Sequence, residues 1–158
     1  MSAKPKLDVI DRRILKILQR DGRIANVDLA RRVHLTPTPC FERVKRLEEH
    51  GYIQRYVAQL DPRKLELGLL AFVEISLDRT NPAELERFRD TVAEMPEVQE
   101  CHMVAGGFDY LIKARVKDVE AYRRFLGERI SALPAVSRTH TYFVMEEVKS
   151  TQEIPVGV

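Results

Sequence analysis

The stretch Thr36-Pro37-Thr38-Pro39-Cys40-Phe41-Glu42-Arg43-Val44-Lys45-Arg46-Leu47-Glu48-Glu49-His50-Gly51 decides how the chain is read. Cys40, Val44 and Leu47 recur at i, i+4 and i+7, which gives a helix one apolar stripe and makes Cys40 a core residue rather than a reactive thiol. Gly51 closes the helix. Its start lies inside the threonine-proline pairs, where a threonine oxygen can accept from an early amide and a proline at the first helical position removes a donor that has no partner anyway. Pro39 disfavours a helical Thr38, so either threonine can be the cap. The side away from the stripe gathers Thr38, Glu42, Lys45, Arg46 and Glu49, with Arg43 flanking. A cationic amino-terminal half suits a helix that enters the major groove of DNA. Arg43, Lys45 and Arg46 have the reach for guanine edges or phosphates, and the threonine hydroxyls suit phosphates. Glu42 suits either a cytosine amino group or simply the positive end of the helix dipole.

Upstream, Asp8 is a good N-cap for a core helix carrying Ile10, Ile14, Ile17 and Leu18, ended by Asp21-Gly22. Asn26 is expected to cap a second short helix with Leu29, Ala30 and Val33 inward, and His34-Leu35 makes the corner. Three helices so arranged form a helix-turn-helix domain over residues 7–60. Tyr52 to Leu60 alternates as a small two-strand wing would, and Arg55 there either touches a nucleic-acid backbone or is solvated. Asp61-Pro62-Arg63-Lys64 opens a linker over 61–68.

Charge divides along the same line. Residues 1–60 hold 13 Lys and Arg against 7 Asp and Glu, a net +6; residues 61–158 hold 13 against 17, a net −4. A basic half suits a polyanionic partner, which an acidic half would avoid. The longest apolar run, Leu69 to Val73, is too short to span a bilayer, and Met1-Ser2-Ala3-Lys4-Pro5-Lys6 lacks the apolar core of a secretory signal. A cytoplasmic, nucleoid-associated location is therefore expected, with Cys40 and Cys101 as reduced thiols in separate domains.

The second half contains an internal repeat. Met95-Pro96-Glu97-Val98-Gln99-Glu100-Cys101-His102 and Leu133-Pro134-Ala135-Val136-Ser137-Arg138-Thr139-His140 agree in Pro, Val and His, each ending a helical stretch and opening a strand. Strands are expected at about 69–78, 97–104, 108–116 and 136–148, with helices at about 82–94 and 118–131, the first capped by Asn81-Pro82. Two such β-α-β units make a ferredoxin-like βαββαβ sandwich over 69–150, with both helices on one sheet face. The chain is thus α+β, with residues 151–158 as a tail. Both sheet faces read as partly apolar, so the uncovered face is expected to pair with a second copy, giving a homodimer.

Ala105-Gly106-Gly107-Phe108-Asp109-Tyr110 is the best candidate for small-molecule recognition. Glycine amides can approach a carboxylate and Asp109 an ammonium group, which together describe an amino acid; alternatively, the glycines supply positive φ for a turn and Asp109 bonds its own backbone. His34, His50, Cys101, His102 and His140 do not have the placement of a metal site, and the repeat accounts structurally for the two strand histidines, so neither catalysis nor a cofactor is expected. The alternatives to a regulator are an architectural DNA-binding protein that senses nothing and, less in keeping with the repeat, a small ferredoxin-like enzyme using His102, His140 and Asp109 as general acid and base.

Taken together, Thr36-Pro37-Thr38-Pro39-Cys40-x-Glu42-Arg43-Val44-x-Arg46-Leu47-Glu48, Gly51-x-Ile53, Phe72-Val73-Glu74-Ile75, Glu100-Cys101-His102-x-Val104-x-Gly106-x-Phe108-Asp109-Tyr110-Leu111 and Tyr142-x-Val144-Met145-Glu146-Glu147-Val148-Lys149 resemble the Lrp/AsnC family of bacterial transcription regulators, over about residues 7–150. The resemblance implies binding of double-stranded DNA through Asn26, Thr36, Pro37, Thr38, Pro39, Glu42, Arg43, Lys45, Arg46 and Arg55. It also implies dimers that assemble into a tetramer, octamer or similar ring. An amino-acid effector such as leucine or another branched-chain amino acid would be held between dimers near Gly106, Asp109 and Tyr142, with Val104, Gly107 and Tyr110 beside them. Gly107 stands where leucine-responsive members often carry an acid, and Phe143 where an aliphatic residue is common.

Overall fold

The computed structural model describes residues 6–78, 81–133 and 135–157; the amino-terminal Met1–Pro5 and the repeat's Pro134 lie outside the described residues. The chain forms two compact units. One takes in residues up to Gln59 together with the segment from Lys149 onward, and the other spans Leu60–Val148.

The first unit is a three-helix cluster, α1 (Val9–Leu18), α2 (Asn26–Arg32) and α3 (Pro37–Glu49). Ile14, Leu29, Ala30, Val33, Cys40 and Leu47 form its buried centre, with Val44, Tyr52 and Ile53 packed around it. Asp8 caps α1 as expected, and the cap is reciprocal: the Asp11 amide donates to Asp8 Oδ1 at 2.8 Å and the Asp8 amide to Asp11 Oδ2 at 3.2 Å. Asn26 is not the cap of α2. Ala25 holds that position, and the Asn26 side chain instead donates to the Pro37 carbonyl at 2.8 Å, tying the start of α2 to the start of α3.

His34 makes the corner with φ 59°, a left-handed value that a side chain disfavours. The expected wing does not form within this chain: residues 54–60 have no ladder partner among the described residues. The segment is anchored instead by Tyr56, whose hydroxyl donates to Glu48 at 2.9 Å and whose ring lies where a Cβ on Gly22 would meet it at 3.0 Å. The carboxy-terminal tail straps onto α1. Gln19 exchanges hydrogen bonds with the Ile154 backbone at 2.6 and 3.0 Å, and Arg20 pairs with Glu153.

The second unit carries β1 (Leu69–Leu77), α4 (Pro82–Ala93), β2 (Val98–Met103), β3 (Tyr110–Val116), α5 (Val119–Arg124) and β4 (Val136–Phe143). The antiparallel sheet has the order β2-β3-β1-β4, the ferredoxin-like arrangement. After Arg124, α5 widens into π-helical turns over Phe125–Ile130, and the last strand ends five residues earlier than its alternation suggested. Asn81 caps α4 by accepting from the Glu84 amide at 3.0 Å.

The repeat is realised in three dimensions. Met95 and Leu133 are both buried, and each carbonyl accepts from the valine three residues on, Val98 or Val136, at the start of a strand. Ala71, Val73, Ile75, Ile112 and Ala114 meet Phe88, Val92, Tyr122 and Phe125 in the layer between sheet and helices. On the other face Phe72, Leu111 and Tyr142 alternate with Glu74, Lys113 and His140. That face is amphipathic rather than the apolar patch expected, because Glu100 pairs with Lys113 at 2.8 Å and Arg115 with Glu147 at 2.8 Å across it. Among the described residues no helix is long and apolar enough to cross a membrane.

Candidate DNA-reading helix and effector loop

Thr36 is the cap of α3 by backbone conformation, with Pro37 the first helical residue, but the Thr36 hydroxyl makes no capping bond. The prolines do that work differently. Of the four amides that an α-helix leaves unpaired at its start, here those of residues 36–39, two belong to prolines and are absent. The first intrahelical bond runs from the Cys40 amide to the Thr36 carbonyl. The Thr38 amide is left at the helix tip, where it suits a phosphate oxygen. Thr36, Pro37, Thr38 and Pro39 are all exposed.

The arginines are placed differently from the helix-wheel expectation. Arg43 donates to Asp8 Oδ2 and, at 2.8 Å, to Asp11 Oδ1, and Arg46 donates to both Asp11 oxygens at 2.9 Å. Asp11 is 2% exposed and is the buried charged residue among those described. Such a charge is tolerated because two guanidinium groups and the Asp8 amide satisfy it. The Asp11 amide and the neighbouring Arg43 hold the Asp8 carboxyl below the usual carboxylate range. Arg43 and Arg46 therefore brace α3 against the start of α1. The exposed outward side is Thr38, Phe41, Glu42, Lys45 and Glu49, with Lys45 near Glu49 at 3.8 Å. Phe41, 54% exposed, was not among the sequence candidates. Its signal was a large apolar residue off the buried stripe. Arg55 lies exposed in the extended segment after α3.

In the second unit, Gly106 and Gly107 are exposed in the loop between β2 and β3. Neither has positive φ, so the turn does not require glycine, and a Cβ at either would meet nothing within 4 Å. The turn-only reading of these glycines thus loses its physical basis. Asp109 Oδ2 accepts from the Leu77 amide at 2.7 Å, and the Asp109 carbonyl accepts from Val104, fixing both ends of the loop. The other Asp109 oxygen, Oδ1, has no hydrogen-bond partner among the described residues. Tyr110 departs from the expected set: it is 2% exposed and stacked on Phe88 with centroids 4.4 Å apart, on the helix side of the sheet. Tyr142 lies on the opposite face and donates to Glu74 at 3.1 Å, which raises the phenol's pKa.

Comparison with known proteins follows the same division of the chain. Residues 7–54 match the family profile described as "Winged helix-turn-helix DNA-binding", and residues 70–154 match "Lrp/AsnC ligand binding domain". The chain is 55% identical over 150 residues to the leucine-responsive regulatory proteins of Klebsiella pneumoniae and Escherichia coli (strain K12), covering 95% of this chain and 92% of each relative. Among solved structures, a transcriptional regulator of Neisseria meningitidis in complex with L-Met superposes with a TM-score of 0.91 at 37% identity, covering 95% of this chain and 97% of that one. An AsnC family transcriptional regulator from Agrobacterium tumefaciens gives 0.91 at 40% identity, covering 94% and 97%.

Proposed function

The chain belongs to the Lrp/AsnC family of transcription regulators, and on that footing we propose that it regulates bacterial amino-acid metabolism by laying α3 in the major groove and answering to an aliphatic amino acid. One observation carries the DNA half: the exposed side of α3 presents Thr38, Phe41, Glu42 and Lys45 while buried Asp11 fixes the helix from behind. Thr36, Thr38 and Lys45 address phosphates, Glu42 and Lys45 base edges, and Arg55 the backbone beside the groove. Arg46, still 44% exposed at its side chain, contacts phosphate from the edge of the cluster. Pro37 and Pro39 shape the helix tip. Arg43 and Asn26 are positioning residues.

In the effector unit, the Gly106 and Gly107 amides take the carboxylate of the amino acid and Asp109 Oδ1 its ammonium group. Val104 supplies an aliphatic rim and Tyr142 closes the site from a second sheet face, contributed by another copy. Tyr110 supports the loop from beneath. Leucine, another branched-chain amino acid or methionine fits this arrangement. Two copies join through the amphipathic sheet face, and dimers assemble further. The protein works in the cytoplasm, at the nucleoid. An effector changes the outcome by binding one oligomeric arrangement better than another.

The test is a titration of the purified protein against its own promoter fragment, with particle size followed by light scattering, with and without leucine, isoleucine, valine and methionine. Salt-dependent retention of the fragment and a shift in size or affinity with at least one amino acid are expected. Retention indifferent to all of them would leave an architectural protein.

A further inference from the structure

An open groove of about 410 Å³ runs between α4 and the edge strand β2, its lining reaching Met103 and Tyr110 at the base of the glycine loop. Val92 on the helix and Val98 and Met103 on the strand give it apolar walls, Arg89 stands at its rim, and Cys101 and Tyr110 line it. The volume lies within the range of small-molecule sites. Met103 is 61% exposed although it belongs to the helix side of the sheet, because nothing beyond the β2 edge covers it among the described residues.

The groove's inner wall holds an anomaly. The Tyr110 hydroxyl is buried and has no hydrogen-bond partner among the described residues. Its ring is stacked on Phe88 with centroids 4.4 Å apart. Phenylalanine would fill the same space without the penalty of an unpaired buried donor, so the hydroxyl needs a reason to be there. Arg89 lies near enough to oppose the burial that raises the Tyr110 pKa. The Arg89 Nε donates to the Leu85 carbonyl at 3.2 Å, which holds the side chain in place, and its terminal nitrogens have no partner among the described residues. The Glu100 carboxylate, which would repel an anion, is engaged by Lys113 and His102.

We propose that this groove binds a small amphipathic carboxylate, with the carboxylate held by Arg89 and the Tyr110 hydroxyl and an aliphatic chain lying along Val92, Val98 and Met103. Such a ligand gives the orphan donor its acceptor and covers the exposed methionine. Entry needs only the displacement of the long exposed Met103 side chain from the mouth of the groove.

The site supplies its own reporter. Cys101 lines the groove while Cys40 is fully buried, so alkylation of the native protein by iodoacetamide reads Cys101. Burial raises the Cys101 pKa, so labelling is run at mildly alkaline pH. Sodium octanoate, below its micellar concentration, is expected to slow labelling saturably. Arg89→Ala and Tyr110→Phe should each weaken that protection about tenfold, and Tyr110→Phe should do so without lowering thermal stability. Excess leucine should not restore labelling. The proposal is overturned by an absence of saturable protection in the unmodified protein, by protection of both variants equal to it, or by displacement of octanoate by leucine. Arg89 is on the exposed side of α4, so its variant keeps the test decisive should Tyr110→Phe fold poorly. None of these outcomes touches DNA retention, so the regulatory reading stands or falls separately.

Discussion

In the DNA-reading unit the functional helix is braced from behind, Asp11 accepting from Arg43, Arg46 and the Asp8 amide, whereas in the effector unit the glycine loop is fixed at its ends and vacant in its middle. The contrast separates two kinds of recognition. A helix that must match the fixed repeat of a duplex gains from being preorganised, since its ordering is complete before binding. On the proposed reading of the glycine loop, a loop that reports a small molecule gains from being incomplete, because the ligand then supplies contacts that one arrangement of copies makes and another lacks.

The contrast can be broken most directly at Asp11. Asp11→Ala should destabilise the first unit by about 2–3 kcal/mol, less than for a fully buried pair because Arg46 is partly solvated. It should weaken promoter binding without altering the amino-acid response, as read by thermal unfolding and by a retention assay. If promoter affinity is unchanged while stability falls, Asp11 acts on folding alone.

A smaller effect is expected at the outward face. Phe41→Ala should reduce promoter affinity by about 1 kcal/mol if the ring packs against thymine methyl groups. Replacing thymine by uracil in the promoter should then weaken the unmodified protein and leave the variant unmoved. Equal losses in both would place Phe41 away from the bases. Lys45→Ala should lower the slope of log affinity against log salt by about one.

Alkaline pH probes the segment where a wing was expected. Burial, and then the bond to Glu48, raise the Tyr56 pKa to about 12. A raised folded-state pKa means stability present below the unfolded value and lost as pH climbs through it toward 12. The first unit should therefore weaken above about pH 10, and Tyr56→Phe should remove that component of the pH profile. At the corner, His34→Gly should stabilise by about 0.5–1 kcal/mol, since φ 59° suits glycine. Smallest of all, Gly107→Ala should change stability by no more than about 0.5 kcal/mol while blunting the amino-acid response. A large loss of stability would mean that the loop is packed rather than vacant.

Most of the architecture was legible in the chain. The stripe Cys40-Val44-Leu47, the caps Asp8 and Asn81, and the repeated Pro, Val and His are local signals, and each fixed an element to within a few residues. The misreadings share a cause. Asn26 looks like a cap because its side chain can bond to nearby amides, yet a carbonyl 11 residues away in sequence claims it. Residues 52–60 alternate as a strand does, but alternation cannot supply a neighbouring strand to pair with. Tyr110 adjoins Asp109 in sequence, yet it turns under α4 while Asp109 turns to β1.

The amino-acid sequence by itself determined where the helices and the four sheet strands lie, that a cationic helix follows a tight corner, and that a ferredoxin-like unit comes after it. Periodicity, capping chemistry and repetition act over a few residues and need no knowledge of the rest. Tertiary structure alone decided which cations remain available on that helix, which tyrosine hydroxyl is left without a partner, and that glycine in the loop serves neither turn nor packing. Those outcomes depend on groups brought together from distant positions, as Asp11 is with Arg43 and Arg46, 32 and 35 residues away. A helix wheel gives directions about its own axis and is silent on what waits there.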